Sequence, residues 1–350
     1  MQVDQKRLEE FMNRAVGDLG AAASATLVLI GDRLGLYKAL ARGPATPAEL
    51  AKRTGTAERY IREWLGNQAA SGYVTFDGPS GRYSLSAEQA MALAEEDSPV
   101  FLPGAFQILQ AMWKAEGRIE SNFRSGEGLP WTEQDASLFE GTERFFRPGY
   151  AAHIEKEWIP ALEGVEAKLR AGAQVADVGC GHGASTVILA KAFPRSRFTG
   201  FDFHPESIET ARRRAVTAGV ADRVDFLVAR ATEFPGEDYD LVAHFDCLHD
   251  LPDPVGAARR AREALAKDGT WMIVEPFAGD SVAENLNPVG RVFYAASTMF
   301  CVPNALAFRG AALGAQAGEA KIGAVAKEAG FRSFRRATQT PFNLVFEARA

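Results

Sequence analysis

The chain has 350 residues, 47% of them hydrophobic, enough to bury a substantial core and more than one domain usually holds. Its formal net charge of −6 supplies no positive field for phosphate backbones or anionic lipid, which sets nucleic acid and membrane surfaces aside as partners. Three cysteines without C-x-x-C spacing (Cys180, Cys247, Cys301) exclude a disulfide framework or structural zinc site, and a polar N-terminus with no window near the roughly 20 apolar residues of a span predicts a cytoplasmic protein.

Residues 1–90 read as a small helical domain. A long amphipathic helix starts near residue 4. Leu34, Leu36, Leu40, Leu50, Ile61, Trp64 and Leu65 then recur at helical intervals, interrupted by Pro44, Pro47 and Gly55. Two short strands, Gly72 to Phe76 and Arg82 to Leu85, flank the turn Asp77-Gly78-Pro79-Ser80-Gly81, and helices followed by a hairpin make a winged helix. Residues 91–165 are helical and rich in aromatics, among them Phe146, Tyr150 and Trp158, and read as a linker and cover. From residue 166 to 350, apolar β-runs alternate with helical segments: Gln174 to Val178, Arg197 to Phe201, Val224 to Val228, Tyr239 to His244 and Thr270 to Val274. That alternation predicts an α/β, Rossmann-like parallel sheet with crossover helices. Phe331 to Thr338 and Asn343 to Ala348 add a closing antiparallel hairpin, for seven strands in all.

Ligands in such sheets bind above the carboxyl ends of the strands. There the chain reads Asp177-Val178-Gly179-Cys180-Gly181-His182-Gly183, a G-x-G-x-G turn into a helix whose free N–H groups suit a carboxylate. Asp202 ends the second strand, where a carboxylate accepts both hydroxyls of a ribose. A dinucleotide site shares these features but favours G-x-G-x-x-G, so the residues alone leave the nucleotide open. The fourth strand runs into Phe245-Asp246-Cys247-Leu248-His249-Asp250-Leu251-Pro252-Asp253-Pro254. His249 there is either a proton acceptor at the sheet's active edge or a turn histidine beside a cap at Asp250 or Asp253. No other His or Cys has metal-ligand spacing, so no metal is expected.

Over roughly residues 165 to 350 the string resembles class I S-adenosylmethionine-dependent methyltransferases. Asp177 with Gly179, Gly181 and Gly183 looks like that family's first motif, and Thr199-Gly200-Phe201-Asp202-Phe203 like its second. The resemblance implies S-adenosylmethionine as cofactor and S-adenosylhomocysteine as product. The glycine loop would hold the methionine part, Asp202 the ribose, Phe203 the adenine face and Arg230 with Ala231 the adenine edge, and Phe245 joins the cofactor residues. The chain has Arg230 where many members have Asp or Asn, which leaves Thr232 or backbone as partner of the adenine amino group. The His-Asp string is similar to that of small-molecule O-methyltransferases, implying His249 as general base supported by Glu275, and the winged-helix module to their dimerisation domain, implying a homodimer.

The segment 279–325 is too apolar for a plain loop and is expected to form part of the cover. Phe293 and Met299, with Phe146 and Tyr150, are candidates to line the pocket of a small, largely apolar or aromatic acceptor; core packing is the competing reading. Three other functions fit parts of the string: a cofactor-sensing DNA-binding regulator, an N- or C-methyltransferase acting by alignment alone, and a partner protein without catalysis. Against the first, Thr56 to Leu65 mixes acids with bases where a DNA-reading helix presents a positive face.

Overall fold

A computed structural model describes residues 3–350, and the chain divides into two compact units. The first comprises residues 3–110 with 140–148, and the second residues 111–139 with 149–350. The stretch 91–165, read as one cover, is therefore shared between them.

In the first unit, Thr46 and Glu49 form a reciprocal cap with Pro47 in the first turn, which starts the helix Pro47–Thr54, and Gly55 ends it in the left-handed conformation at φ 66°. The following helix, Glu58–Ala70, turns Ile61, Trp64 and Leu65 inward. They join Val28, Leu36, Tyr37, Leu40, Leu50 and Val74 in one core, whereas Leu34 is half exposed. The Tyr37 and Trp64 rings meet edge-on at 5.1 Å. Strands β1 (Thr75–Asp77) and β2 (Arg82–Ser84) form the wing, tied to the capped helix by two 2.8 Å bonds from Arg82 to Glu49. On the surface of Glu58–Ala70, Arg59 pairs with Glu63 and Arg62 with Glu58, so its arginines are neutralised by their own helix.

Helix Gln5–Arg33 requires a correction to the sequence reading. It is long and apolar enough, by length and composition, to cross a membrane. Its C-terminal part buries Ala25, Val28 and Leu29, but Leu8, Phe11, Met12, Val16 and Leu19 are exposed.

The second unit is organised by a seven-stranded sheet: β3 (Gln174–Val178), β4 (Arg197–Asp202), β5 (Val224–Val228), β6 (Tyr239–Phe245), β7 (Leu265–Pro276), β8 (Ser333–Gln339) and β9 (Asn343–Arg349). The order is β5-β4-β3-β6-β7-β9-β8, with the first five parallel and β9 and β8 antiparallel, as the alternation of β-runs and helices predicts. The strand order reverses between β3 and β6, which opens a crevice above their carboxyl ends. Continuous apolar runs are what a sheet covered on both faces requires, and Trp271, Met272, Ile273 and Val274 of β7 are all fully buried. The helix Pro254–Ala264 packs on the sheet through Ala257, Ala258, Ala261 and Ala264. Helix Gly318–Glu328 lays Ile322, Val325 and Ala326 into the same core, so the insertion after β7 ends before this helix and not at residue 325.

Candidate active site

The glycine turn after β3 is held by backbone. Gly179 and Cys180 donate to the Phe201 carbonyl at 2.8 and 3.0 Å, and Gly181 donates to Asp202 Oδ2 at 2.9 Å. All three glycines have positive φ, at 77°, 50° and 77°. A Cβ on Gly179 would lie 2.6 Å from Cys247 Sγ, and one on Gly183 2.7 Å from the Phe226 ring, so both are demanded by close packing. A Cβ on Gly181 would meet open space, so a ligand can approach this residue closely.

Asp177 is fully buried and accepts from Ser185 and Thr186 hydroxyls at 2.6 and 2.5 Å, both on Oδ2, while Oδ1 has no partner. Burial raises its carboxyl to about 6. Asp202 accepts a second backbone bond from His204 at 2.9 Å, and burial raises its carboxyl as well. Phe203 is 37% exposed, so its ring is not part of the core. Phe139 stacks on His204 at 4.6 Å and on His182 at 6.4 Å, putting one aromatic ring of the stretch read as a cover near the turn. Beyond β5, Arg230 is exposed, and Ala231 packs partly against the core.

The second cluster lies past β6 and β7. His249 and Glu275 are 4% and 3% exposed, and His249 Nδ1 lies 2.7 Å from Glu275 Oε2. Glu275 Oε1 accepts from the Leu248 N–H at 3.1 Å, so the carboxylate fixes both the ring and its turn. Burial pulls the imidazole pKa down, but the charge of Glu275 and the hydrogen bond to Cys301 outweigh it and hold it well above the ordinary histidine value. Capping of Pro254–Ala264 falls to Asp253, through a 2.7 Å bond from Gly256. Asp250 instead accepts from Trp131 Nε1 at 2.8 Å, and its carbonyl accepts from Asn304 at 2.9 Å. Asn304 also accepts from the Trp131 N–H at 3.1 Å, closing a loop of bonds around the His249 turn.

The proposed lining residues are dispersed. Tyr150 is buried, stacked near Phe245 and Trp158, with its hydroxyl 2.6 Å from Asp246. Phe245 is buried beside those rings. Phe293 is buried in the helix Pro288–Ala296. Met299 packs with Ala115, Ile119 and Leu129. Phe146 belongs to the first unit, edge-on to Phe145 at 5.0 Å. A cleft of about 370 Å³ in the second unit is lined by Asp280, Asn285, Tyr294, Ser297, Thr298 and Lys321, among others, and by none of the glycine turn or the histidine pair.

Residues 169–320 match the model of a methyltransferase domain, and residues 22–95 that of an Rv2258c-like winged helix-turn-helix domain. The chain is 26% identical to the mitomycin biosynthesis 6-O-methyltransferase of Streptomyces lavendulae, across 90% of this chain and 87% of that one. It is 31% identical to 27-O-demethylrifamycin SV methyltransferase of Amycolatopsis mediterranei, across 46% of this chain and 57% of that one. In fold it resembles mitomycin 7-O-methyltransferase, with a TM-score of 0.71, 22% identity and 99% of each chain covered. Human N-acetylserotonin methyltransferase with bound S-adenosylmethionine aligns at 0.68 and 16% identity, across 100% of this chain and 99% of that one.

Such a sheet, glycine turn and strand-end acid define a methyltransferase that uses S-adenosylmethionine. More particularly, the chain carries a methyltransferase domain at residues 169–320 with a winged helix-turn-helix domain at residues 22–95 ahead of it.

Proposed function

We propose that the chain methylates an oxygen of a small, largely apolar or aromatic acceptor, with His249 as general base and Glu275 as its support. The observation that carries the base assignment is the 2.7 Å bond between the two inside a buried turn. The donor set fits the cofactor: an open backbone at Gly181, an unpartnered Asp177 oxygen, and a partly exposed ring at Phe203 beside Asp202. Asp177, Gly179, Gly181 and Gly183 would hold the methionyl end, Asp202 the ribose, Phe203 the adenine face, and Arg230, Ala231 or Thr232 its edge; Phe245 supports the floor. When bound, S-adenosylmethionine supplies an electrophilic methyl on a sulfonium.

The chain's own task is then alignment and proton removal. Nδ1–H donated to Glu275 leaves Nε2 with a lone pair. With the methyl group supplied by the cofactor, Nε2 would take the proton that the acceptor hydroxyl gives up. The imidazolium so formed lies against the Glu275 carboxylate. Cys301, whose thiol is close enough to bear on the same imidazole, sits in the insertion with Phe293 and Met299, so acceptor entry requires this segment to give way. Tyr150 remains a candidate for the apolar wall.

Two further assignments accompany this reading. The exposed stripe Leu8, Phe11, Met12, Val16 and Leu19 recurs at intervals of three and four, the pattern of a helix face that meets a second copy. We assign it to a homodimer; light scattering of Phe11→Glu/Leu19→Glu should show a monomer where the unmodified chain shows a dimer. The three free thiols suit a reducing, cytoplasmic setting. The function is tested by incubating the chain with labelled cofactor and a panel of phenols, alcohols and carboxylic acids. Label in an ether or ester supports it, and label only in amines, carbon centres or protein overturns it.

A further inference from the structure

Asp246 takes no part in the chemistry above, yet three elements converge to hold it. Its backbone is left-handed, at φ 49°, a conformation that is unfavourable for most side-chain-bearing residues and that Asp tolerates better than most. The Asp246 N–H donates to the Val274 carbonyl at 2.8 Å, which pins the turn to β7. Tyr150, from helix Ala136–His153, donates to Oδ2 at 2.6 Å. Asn343, from β9, donates to Oδ1 and Oδ2 at 2.8 and 3.1 Å. Both donors are neutral, and the other groups facing the carboxyl are Glu275, His249 and, on its own turn, Cys247. Burial raises the carboxyl to about 7, against the pull of the Tyr150 bond, and Glu275 adds to the rise. The residue is nevertheless partly exposed, so it keeps acceptor capacity that neither donor fills.

Its position says what that capacity faces. The next residue, Cys247, donates its thiol to the Val178 carbonyl at 3.2 Å and fills the space where a Gly179 side chain would stand. Asp246 therefore stands beside the wall of the glycine turn, at the end proposed for the methionyl group. A carboxylate whose hydrogen-bond donors are both neutral, at such a place, suits a cationic ligand group.

We infer that Asp246 is the counter-ion of the cofactor's methionyl ammonium, fixing that end as Asp202 fixes the ribose. The inference rests on the assignment of the methionyl end to the glycine turn. Calorimetry on the full chain tests it with two ligands that share the adenosine but differ in the amino-acid end, S-adenosylhomocysteine and methylthioadenosine. Asp246→Asn keeps the left-handed turn and should weaken S-adenosylhomocysteine about tenfold or more while methylthioadenosine binds as before. Losing a negative charge would strengthen contact with the ligand's carboxylate, so a fall can come only from the ammonium. Equal loss of both ligands overturns the inference, since Asp246 would then merely shape the turn. Unchanged affinity for both overturns it too. A measurement needing no variant is the ratio of the two affinities in the unmodified chain. It should fall on acidification through about 7, as the carboxyl protonates, and a flat ratio there overturns the proposal. If neither ligand binds at all, the cofactor reading itself fails, which is a separate result.

Discussion

The edge formed by β3 and β4 and the edge formed by β6 and β7 serve one site but are built differently. At the first, the working groups are backbone and short-range: Gly181 reaches Asp202 across 21 residues, and the Phe201 carbonyl takes two turn N–H groups. At the second, side chains do the work and their partners come from afar. Trp131 reaches Asp250 across 119 residues, Tyr150 reaches Asp246 across 96, and Asn343 reaches it across 97. The glycine turn is thus a local property of the chain, whereas the edge past β6 and β7 depends on the whole unit. The first should tolerate change in distant elements, and the second should not.

The largest effect that would sharpen this contrast is at His249. His249→Ala should lower turnover by about 10²-fold or more with cofactor affinity unchanged, because the two edges are separable. Single-turnover kinetics beside calorimetry checks it, and a parallel loss of affinity would break the comparison. At the other edge, Gly179→Val forces a branched side chain into φ 77° and onto Cys247 Sγ. Cofactor affinity should fall about tenfold or more.

A smaller, directional effect is expected at Glu275. The base must be neutral to act, and Glu275 holds His249 in its protonated form to higher pH than usual. The rate should therefore rise with pH along a limb lying above about 6.5, the ordinary histidine value. In Glu275→Gln that support is gone while burial remains, so the limb should move to lower pH and the plateau should drop. A pH–rate profile of both proteins decides. The smallest effect is at Trp131→Phe, which keeps the ring and removes one bond to Asp250. Stability should fall by about 1–2 kcal/mol in a denaturant titration, with the acceptor's KM rising and cofactor affinity constant.

The same contrast explains what could be read from the chain directly. The five parallel strands announce themselves as apolar runs because both faces of the sheet are covered, and Gly179, Gly183 and Asp202 because special backbone and a strand-end acid leave marks in a short string. The pairing of His249 with Glu275 was legible only through resemblance, since 26 residues and a helix separate them. Trp131, Asp246, Asn304 and Asn343 were not legible as a group, because nothing local distinguishes a tryptophan that will meet an aspartate a hundred residues on. Aromatic patterning misled for a related reason: burial of Tyr150 and Phe293 follows from what packs over them, which periodicity does not encode.

The turn at Asp246 also bears on how the enzyme can be re-engineered. Glycine or asparagine can occupy a left-handed residue cheaply, whereas a branched side chain would carry about 1–3 kcal/mol of local strain into every variant. Libraries that randomise this position should return a narrow set of survivors. Diversity in accepted compounds is then better sought in the helices between residues 288 and 307, to which the proposed reading assigns no cofactor contact.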